Sequence, residues 1–212
     1  MGNKLSINPW TGMWIRPRET IRQIVETNPG YMYPLLCFIY GFPMALQLAQ
    51  SFSLGDRFHA TGIVIVCLIL AIVLGGVMIS ITAALFKWTG KWIGGEGTYQ
   101  QIRSAVAWSN MPSAVNIVIW LANLAVFGSK LFRNDFLETP FVGNELAFIF
   151  FTAFIQLVVG VWAFIIMLKA LGEVQGFSAW KALLNIVIPA VLIFIAMMIL
   201  SLLIPTTTNM PK

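Results

Sequence analysis

Five apolar stretches without a charged side chain dominate the pattern of this sequence. They cover residues 31–50, 61–86, 112–128, 146–168 and 183–204. A bilayer core about 30 Å thick needs roughly 20 apolar residues per helix, and each stretch approaches or exceeds that length. The pattern therefore predicts an all-α polytopic membrane protein with five transmembrane helices.

The composition agrees with this prediction. Hydrophobic residues make up 58% of the chain, charged residues make up 10%, and the mean hydropathy is +0.84. A soluble domain typically carries about 25% charged residues, so a soluble globular protein is excluded. We expect three parts: an N-terminal cytoplasmic segment at 1–30, a transmembrane domain at 31–204 and a short extracytoplasmic tail at 205–212.

The cationic side chains are unevenly distributed between the two predicted sides of the membrane. One side holds Lys4, Arg16, Arg18, Arg22, Lys87, Lys91, Arg103, Lys169 and Lys181, and the other holds Arg57, Lys130, Arg133 and Lys212. Because cytoplasmic loops retain Lys and Arg, the N-terminus is predicted to lie in the cytoplasm and the C-terminus outside. We expect a bacterial cytoplasmic (inner) membrane protein. The net charge of +5 is then a topology signal and does not indicate a nucleic-acid partner.

Two short helices and an aromatic belt are predicted on the cytoplasmic side. Pro17–Thr27 is an amphipathic pattern with isoleucines on one face and Arg18 and Arg22 on another, typical of a helix in the lipid headgroup region. A second helix starts at Thr98, because Thr98 and Gln101 have capping-box spacing; the glycine-rich segment 94–97 before it is expected to be a flexible connector. Six tryptophans map to this side and predict an interfacial belt: Trp10, Trp14, Trp88, Trp92, Trp108 and Trp180.

Several polar segments follow one another in a recognisable order. They are Asn8-Pro9-Trp10, Arg16-Pro17-Arg18-Glu19-Thr20-Ile21, Gly94-Gly95-Glu96-Gly97-Thr98, Ala107-Trp108-Ser109-Asn110-Met111-Pro112 and Leu171-Gly172-Glu173-Val174-Gln175-Gly176-Phe177-Ser178. In this order, over about residues 8–203, the chain resembles the Yip1 domain family in its compact prokaryotic branch. The resemblance implies five transmembrane helices with a cytoplasmic N-terminus.

The resemblance does not imply binding of a Rab-type GTPase. Eukaryotic members of the family are linked to Rab GTPases and vesicle traffic through a longer cytosolic N-terminus with an Asp-Leu-Tyr-Gly-Pro element. This sequence lacks that element, so Rab binding is not expected.

Neutral polar side chains recur on helix faces inside the apolar stretches. This candidate intramembrane polar face consists of Gln47, Gln50, Asn116, Asn123, Gln156 and Asn185. Such groups either line a polar path or hydrogen-bond across helices, a contact worth about 0.6 kcal/mol on average; packing is the preferred interpretation. Gly76, Ser80 and Ala84 have the small-residue spacing that indicates a close helix contact.

Polar residues of the cytoplasmic segments form a second candidate site. If the fold brings these segments together, a polar cluster forms from Arg16, Arg18, Glu96, Arg103, Glu173 and Gln175; otherwise these are solvated loop residues. No catalytic residues, metal site or cofactor are predicted, because His59 and Asp56 supply too few ligands for zinc and no base–nucleophile pair lies at membrane depth.

Two functions of different class remain. The first is a non-enzymatic membrane-organising or adaptor protein that acts through helix packing, the lipid bilayer and partners, either a second copy or other membrane proteins. The alternative is a small-solute or ion permease that uses the Asn and Gln faces of the first, third and fourth stretches. Against ion coupling, the stretches contain no ionisable side chain of the kind that such carriers place in the membrane.

Overall fold

The computed structural model describes residues 5–136, 138 and 140–203, which form helices with no strand among them. The α-helices are α1 Pro9–Ile15, α2 Pro17–Thr27, α3 Tyr33–Ser51, α4 Ala60–Trp92, α5 Tyr99–Ser109, α6 Ser113–Phe127, α7 Asn144–Gln175 and α8 Ala179–Leu203. Short 3₁₀ segments lie at Leu54–Asp56 and Gly128–Phe132. The all-α class is confirmed, whereas the predicted tail at 205–212 lies outside the described residues.

Four helical segments in the described part of the chain are long and apolar enough to cross a membrane: Ala60–Trp92, Ser113–Phe132, Asn144–Gln175 and Ala179–Leu202. The first predicted span, now α3, is not among them. Its hydropathy is lower because Pro43, Gln47 and Gln50 interrupt the apolar sequence. The chain is therefore an integral membrane protein by its helices, and the count of five spans stays a prediction.

Helices α3 and α4 form a close antiparallel pair. A Cβ atom at Gly75 would overlap the carbonyl oxygen of Cys37, and one at Gly41 would overlap that of Ala71. The two backbones therefore touch at these glycines. The contact stripe of α4 runs through Ala71, Gly75, Ile79 and Ala83, one residue away from the predicted stripe of Gly76, Ser80 and Ala84.

The five longer helices alternate in direction along the chain: α3, α4, α6, α7 and α8. One layer therefore contains the starts of α3, α6 and α8 together with the ends of α4 and α7. At 1.5 Å per residue, the 33 residues of α4 extend about 50 Å, whereas the 19 residues of α3 extend about 28 Å. The extra length of α4 and α7 is surrounded by α1, α2 and α5. We call this part, together with the start of α8, the basal layer, and the opposite end of the bundle the distal end.

Helix α2 has its predicted bounds but a different environment. Ile21 and Ile24 are completely buried in the basal core with residues of α5 and α7. The apolar face of α2 therefore packs on protein, and the prediction that it lies against lipid is wrong. The cause is tertiary: α7 and α5, which both lie far beyond α2 in the sequence, offer α2 an apolar surface.

The aromatic belt is also smaller than predicted. Trp108 is completely buried in the basal core, where its ring contacts Trp10 at 5.5 Å and stacks with Tyr31 at 6.2 Å between ring centroids. Trp88, Trp92 and Trp180 are exposed, as an interfacial belt requires. Three exposed tryptophans thus surround the basal layer, and Trp108 stabilises its interior.

Candidate functional site

A row of cavities lies between α3, α6 and α7. The first has a volume of about 230 Å³ and is lined by Tyr40, Pro43, Met44, Gln47, Ser113, Asn116, Trp120 and Gln156. The second has a volume of about 150 Å³; its lining includes Gln47, Gln50, Asn123, Thr152 and Gln156. A third, of about 290 Å³, continues from Gln47 and Gln50 to Arg133 and Asn134 near the distal end. We call this row the polar cleft.

The cleft collects five of the six residues predicted for the intramembrane polar face: Gln47, Gln50, Asn116, Asn123 and Gln156. One of their hydrogen bonds joins two elements: Gln50 Nε2 donates to the Leu131 carbonyl, in the 3₁₀ segment after α6, at 3.0 Å. The others are local. Gln47 Nε2 donates to Gln50 Oε1 at 3.4 Å, and Asn123 Nδ2 donates to the Ile119 carbonyl of its own helix at 2.9 Å. Among the described residues, none of the five bonds a side chain on another of the three helices.

Two features of the cleft favour an uncharged polar ligand. The first two cavities have no charged lining residue, and Arg133 of the third is paired with Asp135 at 3.1 Å. The Oδ1 atom of Asn116 is buried and has no hydrogen-bond partner, which is costly in an apolar environment. The cleft therefore offers amide donors and acceptors without a fixed charge.

Asn185 lies apart from these five residues, in the basal layer. It is completely buried, and the Thr89 hydroxyl donates to its Oδ1 at 2.8 Å. This bond joins α8 to α4. Asn185 thus makes a packing contact between helices. This is the role that was preferred, from the sequence, for all six residues of the intramembrane polar face.

An ion cluster connects α2 to α7 in the basal layer. Arg22 Nε donates to Glu173 Oε1 at 2.7 Å, and Arg18 Nη1 lies 3.9 Å from Glu173 Oε2. Hydrogen bonding to Glu173 raises the pKa of Arg22 above its ordinary value. Arg22 was not among the predicted site residues, although its four-residue spacing from Arg18 places both on one helix face.

Gln175 fixes the glycine-rich segment between α4 and α5. Its Nε2 donates to the Phe86 carbonyl at 3.1 Å, and its Oε1 accepts from the Gly97 N–H at 3.2 Å. Cβ atoms at Gly90 or Gly95 would collide with its amide. Gly95 and Gly97 are therefore packed against Gln175, in contrast to the flexible connector expected from the sequence.

The remaining predicted residues of the cytoplasmic cluster lie elsewhere. Arg16 is exposed and pairs with Glu19 at 3.7 Å, and Glu96 contributes its backbone N–H to the Gln175 carbonyl at 3.4 Å. The Arg103 guanidinium lies over the ring of Tyr33. The structure thus distributes the six residues over several contacts in the basal layer.

Comparison with known proteins identifies the family. The model of the Yip1 domain matches residues 11–201, which is most of the chain. No curated protein and no solved structure matches the chain significantly. Because the family model covers both the basal layer and the long helices, the chain belongs to the Yip1 domain family.

Proposed function

We propose that this Yip1 domain protein is a non-enzymatic permease that binds a small neutral polar solute in the polar cleft. The observation that carries the proposal is the convergence of five amide side chains from α3, α6 and α7 on one row of cavities. If these residues served only to join the helices, they would hydrogen-bond across them. Among the described residues, Gln50 makes such a bond, to the Leu131 carbonyl after α6. The bonds of Gln47 and Asn123 within their own helices and the partnerless Asn116 Oδ1 leave polar capacity for a ligand.

The direction of the cleft supports a carrier in preference to an open pore. Toward the distal end the cavities reach Asn134, whereas toward the basal layer the cleft ends at Tyr40. Tyr40 packs against the buried core that contains Trp108 and Met111. A solute that entered from the distal end would therefore pass only after this core had opened, as in alternating access.

We further propose that α3 is the fifth span, with the N-terminus in the cytoplasm. Its length of about 28 Å matches the bilayer core, and it runs from the basal layer to the distal end along α4. The exposed lysines Lys91, Lys169 and Lys181 of the basal layer support a cytoplasmic position for that layer. A bacterial inner membrane would then be the location.

Labelling of single cysteines tests this topology. In a Cys37→Ser, Cys67→Ser background, a membrane-impermeant maleimide should label Arg57→Cys in intact cells. Arg57 lies in the connection between α3 and α4, and this connection would be outside the cell if α3 spans the membrane. The maleimide should label Glu26→Cys only after permeabilisation. Both positions are exposed on either side of α3, so equal labelling of the two in intact cells would contradict the fifth span.

Flux in proteoliposomes tests the permease proposal. We expect at least one class of uncharged polar solute, from a panel of polyols, amides and sugars, to enter about ten times faster than into protein-free liposomes. Asn116→Leu combined with Asn123→Leu should return entry to the protein-free rate, because it removes two polar groups from the cleft. The matched control, Val118→Leu with Val126→Leu, changes the exposed face of the same helix and should leave entry unchanged.

An adaptor function is the second candidate, and the form of α8 favours it. Residues 190–202, beyond the buried Pro189, are exposed on every side. This half-helix would be a surface for a second copy or another membrane protein. The same double variant separates the two functions. If the protein is an adaptor, the wild type should show no flux for any solute of the panel, and Asn116→Leu with Asn123→Leu should leave the cellular phenotype unchanged. Those two results together would reject the permease.

A further inference from the structure

Arg103 differs from the other arginines of the basal layer. Arg16, Arg18 and Arg22 each have a carboxylate within 4 Å. Arg103 has no such partner among residues 5–136, 138 and 140–203. A partly buried guanidinium without a counter-charge is unfavourable, and the protein itself does not neutralise it.

The surroundings of Arg103 form a rigid aromatic platform. The Cζ atom lies 4.4 Å from the centroid of the Tyr33 ring and 5.8 Å from that of Tyr99. Both rings are fixed through Ser80, since the Tyr33 hydroxyl lies 3.2 Å from Ser80 Oγ and the Tyr99 hydroxyl donates to the Ser80 carbonyl at 3.4 Å. Arg103 Nε is buried without a partner. The guanidinium is therefore held in place by contacts that leave its charge uncompensated.

The position of this platform points to the lipid headgroup layer. Tyr33 is the first residue of α3, so the platform lies where an apolar helix begins. Lys87 and Lys91 of the adjoining end of α4 have no ion pair among the described residues, and Trp88 and Trp92 beside them are exposed. Such a cationic and aromatic rim attracts anionic lipids.

We propose that Arg103, held by Tyr33 and Tyr99, binds the phosphate of an anionic phospholipid headgroup. A guanidinium suits this ligand because its planar fork donates two parallel hydrogen bonds to phosphate oxygens. Free inorganic phosphate has the same chemistry, but a lipid also places its acyl chains along the apolar helix that starts at the site. The site is separate from the polar cleft, so it does not depend on the permease proposal.

Native mass spectrometry of the purified full chain tests the site. With phosphatidylglycerol and phosphatidylcholine offered together, we expect about tenfold preference for phosphatidylglycerol, and inorganic phosphate at millimolar concentration should not displace it. Arg103→Gln should reduce the retained phosphatidylglycerol about tenfold. The matched control Lys169→Gln removes one exposed cation of the same layer outside this rim and should change retention less than twofold.

Three results would overturn the proposal. Equal retention of the two lipids by the wild-type chain would remove the preference for an anionic headgroup. Equal effects of Arg103→Gln and Lys169→Gln would show that only the general positive charge of the basal layer attracts the lipid. Displacement by inorganic phosphate would assign the site to a soluble anion. If Arg103→Gln does not fold, Arg103→Lys keeps the charge but loses the fork; it should lower retention about threefold, and unchanged retention would count against the site.

Discussion

Replacing Gly75 with leucine should separate α3 from α4 and leave little folded protein. The Cβ of any side chain at Gly75 would overlap the Cys37 carbonyl oxygen. A clash with a side chain can be relieved by a change of rotamer and typically costs about 1–3 kcal/mol. A clash with a backbone carbonyl requires that the whole helix move. We therefore expect a loss of at least about 3 kcal/mol, a large part of a typical stability of about 5–15 kcal/mol.

The measurement compares Gly75→Leu with Gly62→Leu in the same helix. A Cβ at Gly62 meets no atom within 4 Å, so the control adds the same side chain to α4 without a clash. We expect Gly62→Leu to match the wild type in detergent size-exclusion chromatography and in its thermal midpoint, followed by tryptophan fluorescence. A Gly75→Leu protein with an unchanged yield and midpoint would show that α3 and α4 do not pack as described.

The positions of the helices could be predicted from sequence better than their contacts. Helix α2 has the predicted bounds, and the capping box at Thr98 and Gln101 is present, because caps and prolines act locally. A close helix contact was predicted at Gly76, without a partner helix, and the structure has the contact with α3 one residue away, at Gly75. Helix α4 is apolar on all sides, so no polar face indicates which side meets protein and which meets lipid.

The residues of the polar cleft could likewise be predicted from the sequence, but their contacts could not. Among apolar residues the amides of α3, α6 and α7 are conspicuous, and their helix faces could be derived from spacing. Asn185 looked the same in sequence, but it bonds Thr89, which precedes it by 96 residues. The basal layer was harder still, because its contacts join α2, α5 and α7 over long sequence distances. No local pattern indicates that Trp108 is buried or that Gly95 and Gly97 pack against Gln175.

Replacing Gln175 with leucine should loosen the basal layer, with a loss of about 2–4 kcal/mol. Leucine fills a similar volume but supplies neither the donor for the Phe86 carbonyl nor the acceptor for the Gly97 N–H. A buried polar group left without a partner costs about 1–3 kcal/mol, and the segment 94–97 would lose its anchor. The glycines would remain and would only add flexibility to the loosened segment.

Limited trypsin digestion can locate this loss, because Lys91 lies just before the glycine-rich segment. Local opening around Gln175 should accelerate cleavage after Lys91 in the Gln175→Leu protein, in addition to lowering its thermal midpoint. Gln156→Leu is the matched control: Gln156 is exposed in α7 and has no hydrogen bond within the part of the chain that the structure describes, so both readouts should stay at wild-type values. If the two variants behaved alike, Gln175 would be a buried residue without an anchoring role, and the order of the 94–97 segment would have to come from its backbone alone.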